Sequence, residues 1–147
     1  MTIRKSVTVR CAPEKAFRAF TRDIGRWWPI DKGFSYGGER AKEIFLDDRL
    51  GGRLYERFSD GTEFEIGRVT RCDPPELILF AWKSPQWEAA TEVEVRFSAA
   101  EGGTRVELEH RGFEAGPKMA ESGKRMARGW NTVLERYAGH ADAMTNA

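Results

Sequence analysis

Between Glu43 and Arg111 the chain alternates apolar and polar side chains in six separate runs. They cover Glu43 to Leu46, Arg53 to Phe58, Glu63 to Arg71, Leu77 to Lys83, Thr91 to Ser98 and Thr104 to Arg111. A period of two is what a strand with one buried face requires. Turn chemistry separates the runs: Gly51-Gly52, Asp60-Gly61, Asp73-Pro74-Pro75, Ser84-Pro85 and Gly102-Gly103. Strands joined by links this short are antiparallel neighbours. After Gly116-Pro117 the period lengthens, with Met119, Gly123, Met126, Trp130, Val133 or Leu134, and Tyr137 at three- and four-residue steps. That spacing predicts one face of a helix of about 22 residues, roughly 33 Å long at about 1.5 Å per residue, enough to cross a whole sheet.

Upstream, Ile3, Val7 and Val9 alternate with Arg4, Ser6 and Thr8, which predicts a first strand. Pro13 suits the first turn of a helix that carries Ala16, Phe17 and Phe20 inward, and a second short helix through Ile24 to Trp28 is stopped by Pro29. The order is therefore one strand, two short helices, six strands and a long helix. With no internal repeat or linker, this predicts a single domain over residues 1–147. The expected architecture is α+β: a curved antiparallel sheet of about seven strands wrapped round a long C-terminal helix. A strongly curved sheet cannot touch a straight helix along its full length, so bulky aromatics between them are expected to prop open a pocket.

Charge and cysteine content narrow the function classes. With 24 basic against 23 acidic residues the net charge is +1, without the basic stripe that phosphate binding demands, so no nucleic-acid partner is expected. The excess of cations in Gly116 to Tyr137 reads as the solvated face of the long helix. No apolar run reaches the roughly 18 residues of a membrane span, and Met1-Thr2-Ile3-Arg4-Lys5 leads straight into the first strand, so membrane insertion is not expected and a cytoplasmic location is. Cys11 and Cys72 are expected as unpaired thiols, and with only His110 and His140 besides, no metal-ligand spacing and no cofactor motif is present.

Taken together, the string Pro13 to Phe20, Trp27-Trp28, Gly51-Gly52-Arg53, Asp60-Gly61, Gly67-Arg68-Val69, Asp73-Pro74-Pro75, Phe80-Ala81-Trp82, Val106-Glu107-Leu108-Glu109-His110 and Gly129-Trp130 with Leu134 resembles the START-like (SRPBCC) superfamily. Within it the chain is most similar to the group of the C-terminal domain of the activator of heat shock protein 90 ATPase. The resemblance implies a helix-grip fold. It also implies a cavity for an apolar ligand, used by some members for cyclisation or related chemistry, with chaperone contact as a further function.

Strand alternation turns Leu54 and Glu56 inward, with Phe64, Ile66 and Arg68 on the next strand and Phe80 and Trp82 beyond. Glu56 and Arg68 then share one apolar face and are expected to pair, since a lone buried charge costs several kcal/mol. His110 points inward beside Val106 and Leu108, either as a satisfied core histidine or at the pocket floor. Trp27, Trp28, Phe34, Met119, Met126 and Trp130 complete the expected lining, with the polar stretch Asp31 to Glu39 as a lid. Adjacent tryptophans on a helix cannot both face inward, so one of Trp27 and Trp28 is expected at the cavity mouth or half exposed. A cavity-lining Trp130 forfeits contacts on one side only, so Trp130→Ala is expected to cost about 2 kcal/mol.

Three functions fit these residues: binding of a small apolar molecule; acid-base catalysis with Glu56 and His110 as proton carriers and Arg68 polarising a carbonyl; or an interaction module presenting Trp27, Trp28, Phe34 and Tyr36 to a chaperone or to a second copy in a homodimer. Gly33-Phe34-Ser35-Tyr36-Gly37 matches the nucleophile-elbow pattern, but a proline-stopped helix precedes it where that chemistry needs a strand.

Overall fold

A computed structural model describes residues 2–144; residue 1 and residues 145–147 of the expected domain lie outside the described residues. The elements in chain order are β1 (Ile3–Val9), α1 (Pro13–Thr21), α2 (Ile24–Trp27), β2 (Ala41–Leu46), β3 (Arg53–Phe58), β4 (Glu63–Asp73), β5 (Leu77–Trp82), β6 (Thr91–Ala100), β7 (Gly103–Arg111) and α3 (Pro117–Met144). Two short 3-10 turns, Ile30–Lys32 and Gly38–Arg40, lie between α2 and β2. The long helix has 28 residues and runs past the expected Tyr137, because Ala141 extends the buried stripe by one more turn.

The seven strands form one antiparallel sheet in the order β1-β7-β6-β5-β4-β3-β2. Every hairpin follows chain order. β1 alone pairs out of sequence, with β7, because α1 and α2 carry the chain from one edge of the sheet to the other. This is the helix-grip arrangement: a half-barrel closed on one side by α3.

Curvature is concentrated in the half of the sheet distant from β1. Register shifts interrupt the β2/β3, β3/β4 and β4/β5 pairings, whereas β1/β7, β5/β6 and β6/β7 pair without interruption. Each bulge adds a residue to one strand, bends it and increases its twist. The shift between β3 and β4 places Leu54 opposite Gly67 but Tyr55 opposite Glu65, leaving Ile66 as the extra residue. Glycine is required beside it: a Cβ on Gly67 would lie 1.6 Å from the Ala81 carbonyl oxygen of β5.

α3 packs against β1, α1 and α2. Tyr137 anchors this end; its ring is fully buried against Phe20 and Trp27, and its hydroxyl donates to the Ala16 carbonyl at 2.8 Å. Burial raises the phenol's pKa, so it remains a neutral donor. Held at β1 while the sheet curls away through β4, β3 and β2, the helix leaves a space over the bulged strands.

A cavity between the bulged strands and the long helix

That space is a cavity of about 320 Å³. Its walls come from three sources. Strands β2 to β5 supply Ile44, Glu56, Ile66 and Trp82; α3 supplies Arg125, Met126, Gly129, Trp130 and Val133; and the connection after α2 supplies Trp28 and the run Gly33 to Tyr36. The expected lid stretch thus forms one wall of the cavity, tied to its surroundings by hydrogen bonds. Trp28 Nε1–H donates to the Phe34 carbonyl at 2.8 Å, Arg136 reaches Asp31 at 2.5 Å, and Trp82 Nε1–H donates to the Tyr36 hydroxyl at 3.0 Å.

Glu56 is the carboxylate of the cavity. Its side chain is 1% exposed, and it accepts a short hydrogen bond from the Ser35 hydroxyl and one of 2.9 Å from the Tyr36 backbone amide. Ser35 in turn accepts from the Gly37 amide at 3.0 Å, so the loop folds round the carboxylate. Ser35 therefore serves as a donor to Glu56 within this wall; its context is a loop, not a strand-to-helix elbow.

The expected Glu56–Arg68 pair does not form. The extra residue Ile66 resets the alternation of β4, so Phe64 and Ile66 face inward but Arg68 faces solvent, with its guanidinium 2.9 Å from Glu65. A one-residue shift exchanges the two faces of a strand, and here it does so partway along β4.

His110 is inward and completely buried, but it does not line the cavity. Trp130 Nε1–H donates to His110 Nδ1 at 3.0 Å, which leaves the proton of a neutral imidazole on Nε2, directed at Thr91 Oγ1 2.7 Å away; Thr91 passes its own hydroxyl proton to the Trp82 carbonyl at 2.8 Å. Desolvation pushes the His110 pKa down to about 3. Every polar atom of this chain of groups is satisfied, and a second ring proton would face the Trp130 N–H, donor against donor. His110 is therefore a core histidine, and the trio Glu56, His110 and Arg68 is not assembled at one site.

Of the other residues expected in the lining, Trp28, Phe34, Ile66, Trp82, Met126 and Trp130 border the cavity with Glu56. Leu54 and Phe80 belong to the fully enclosed core, and Phe64 packs instead on the outer side of Tyr36, with ring centroids 5.1 Å apart. Met119 is buried near the start of α3, beside a separate surface pocket that includes Trp87. Both Trp27 and Trp28 are buried, at 3% and 9% exposure, so neither is half exposed, and Trp28 is the one that borders the cavity. The helix ends at Trp27, and Trp28 has an extended ψ of 129°, so both rings turn inward and pack on each other with centroids 5.9 Å apart, Trp27 also meeting Phe20 and Tyr137 and Trp28 meeting Trp82 and Trp130. The expected lining does not include Gly33, Ser35, Tyr36, Ile44, Arg125, Gly129 and Val133, which also border the cavity. Gly129 and Val133 were within reach of the helical period, Gly129 lying three residues after Met126 and Val133 three after Trp130.

Among the described residues, no cluster of three His, Cys, Asp or Glu side chains could hold a metal ion, and no helix is long and apolar enough to cross a membrane.

The sequence profile of the family described as Activator of Hsp90 ATPase homolog 1-like protein matches residues 10–141. No curated protein matches the chain. Solved structures share its fold: a protein from Mesorhizobium loti superposes with a TM-score of 0.70 at 18% identity, covering 97% of this chain and 98% of that one. An AHSA1-like protein from Aeromonas hydrophila does so with a TM-score of 0.65 at 20% identity, covering 99% and 94%.

Proposed function

The chain belongs to the Activator of Hsp90 ATPase homolog 1-like family, within the START-like superfamily, and from that membership we propose that it binds a small hydrophobic molecule in the cavity between its sheet and α3. The observation that carries this reading is the combination of volume and lining. About 320 Å³ lies within the roughly 300 to 1,000 Å³ usual for ligand sites, and the wall is mainly aromatic and aliphatic with a few convergent polar groups. A half-open apolar pocket of this size with a buried carboxylate in its wall suits an apolar molecule that carries one polar end. Lipids and aromatic polyketides are the ligand classes of suitable apolar character. The two free thiols, Cys11 and Cys72, fit a reducing cytoplasmic setting.

The alternatives have less support. Acid-base catalysis by Glu56, His110 and Arg68 needs three groups that point to three different places. Chaperone contact through an aromatic patch needs Trp27, Trp28, Phe34 and Tyr36 exposed, yet both tryptophans are buried and Phe34 and Tyr36 are half-buried in the cavity wall.

Titration with Nile red, a neutral hydrophobic dye, tests the reading. Saturable binding is expected for the wild-type protein, with an affinity at least about tenfold weaker in Met126→Trp. Met126 is half-buried at the wall, so added bulk there fills the lumen rather than the core. An affinity unchanged by Met126→Trp would remove the cavity as the site.

A further inference from the structure

We propose that the molecule held in this cavity carries an ammonium group, docked on the Glu56 carboxylate inside a cage of aromatic rings. The inference rests on the cavity being a ligand site and goes on to name the chemistry of the ligand's polar end.

Three observations lead to it. First, Glu56 is buried without a cation. Among the described residues its hydrogen-bond donors are the Ser35 hydroxyl and the Tyr36 amide, and no Lys or Arg forms an ion pair with it. A carboxylate offers about four acceptor positions, and two are filled, so further donors can be received from the cavity side. A buried carboxylate with neutral partners alone is left partly uncompensated, and a cationic ligand would complete it. Second, aromatic rings make up a large part of the surrounding wall. Trp28, Trp82 and Trp130 form a mutually packed group with centroids 5.8 to 6.1 Å apart, and Phe34 and Tyr36 complete the circuit on the loop. Aromatic rings around an ammonium group are attractive because the ring quadrupole presents negative charge on its face. Third, among the described residues the one basic side chain of the wall, Arg125, is exposed on α3. It can keep its charge in water and compete for Glu56 less than a desolvated cation would. An anionic ligand would have Arg125 to meet but would carry its charge towards Glu56, where like charges repel.

Three probes with the same apolar body separate the possibilities: phenylpropylammonium, phenylpropanol and phenylpropanoate, each titrated calorimetrically and in competition with Nile red. The ammonium probe is expected to bind wild-type protein at least about tenfold more tightly than the alcohol, from one charge-assisted contact plus cation–π attraction. Glu56→Gln should reduce that ratio to within about threefold. Phe34→Leu, at a half-buried ring of the cavity wall, should also lower the ratio and provides the test if Glu56→Gln does not fold. Equal affinity for ammonium and alcohol, with both displacing the dye, overturns the ammonium assignment but leaves the cavity as a site for apolar molecules. Preference for the carboxylate overturns it in favour of Arg125 as the polar determinant. Failure of dye and all probes to bind overturns the cavity reading itself.

Discussion

Trp130→Ala is expected to destabilise the protein by about 5 kcal/mol, at the upper end of the roughly 3 to 5 kcal/mol usual for a large core aromatic. This exceeds the about 2 kcal/mol that its sequence position suggests for a pocket wall. Although Trp130 borders the cavity, it is only 2% exposed, and its ring touches those of Trp28, Trp82 and His110. Truncation removes those contacts and also strips the only donor from His110 Nδ1. A buried acceptor left unpaired adds about 1 to 3 kcal/mol. Trp130→Phe separates the two contributions, since it keeps most of the ring contacts and deletes the N–H; a loss of about 1 to 3 kcal/mol is expected for it. Denaturant unfolding of the three proteins measures both. A loss near 2 kcal/mol for Trp130→Ala would mean that the ring mainly faces empty space and that the cavity is larger than its walls imply.

Acidification should weaken the fold through His110. Desolvation holds the folded imidazole at a pKa of about 3, against about 6.5 for an unperturbed histidine in the unfolded chain. A depressed folded pKa gives stability that is fully present above 6.5 and drains away as pH falls towards 3, because the unfolded chain takes up a proton that the folded form refuses. At about 1.4 kcal/mol per pH unit across that window, the loss from this residue should reach about 2 kcal/mol by pH 5, before most carboxylates have titrated. Unfolding free energies of wild type and His110→Gln, measured from pH 7.5 to 5, isolate it. The variant will be less stable at every pH, but its slope should be shallower by about 2 kcal/mol over the range. Parallel curves would show that His110 is protonated while the protein is folded.

The two effects have a common origin in one run of hydrogen bonds, Trp130 to His110 to Thr91 to the Trp82 carbonyl, which joins α3, β7, β6 and the end of β5. Alternation identified His110 as inward and helical spacing identified Trp130 as inward. Neither pattern carries the information that the two side chains meet, because they lie in different elements and their contact depends on how deeply the helix sits in the sheet.

The β4 strand shows where periodicity stops being informative. Phe64 and Ile66 obey the alternation, Arg68 departs from it, and the cause is the one extra residue beside Gly67. The glycine was visible, and a glycine inside a strand pattern signals a bulge or a close backbone approach. Its location does not reveal which following residues change face, since that depends on the register with β3 and β5. The stretch between Trp28 and Arg40 was harder still to read. It has no regular period, so Ser35 and Tyr36 became legible as cavity wall only when Glu56 was seen beneath them.

What the sequence by itself determined is the element order, the antiparallel sheet and its closing helix, because period two, turn residues and the switch to a helical period are local properties of the chain. The identities of many inward residues followed for the same reason. The tertiary structure alone decided that the cavity opens over the bulged strands, that Glu56 lies in it with loop donors rather than Arg68, and that His110 stands behind Trp130 in the core. Those outcomes depend on bulge register and helix depth, which are set by packing between segments far apart in the chain.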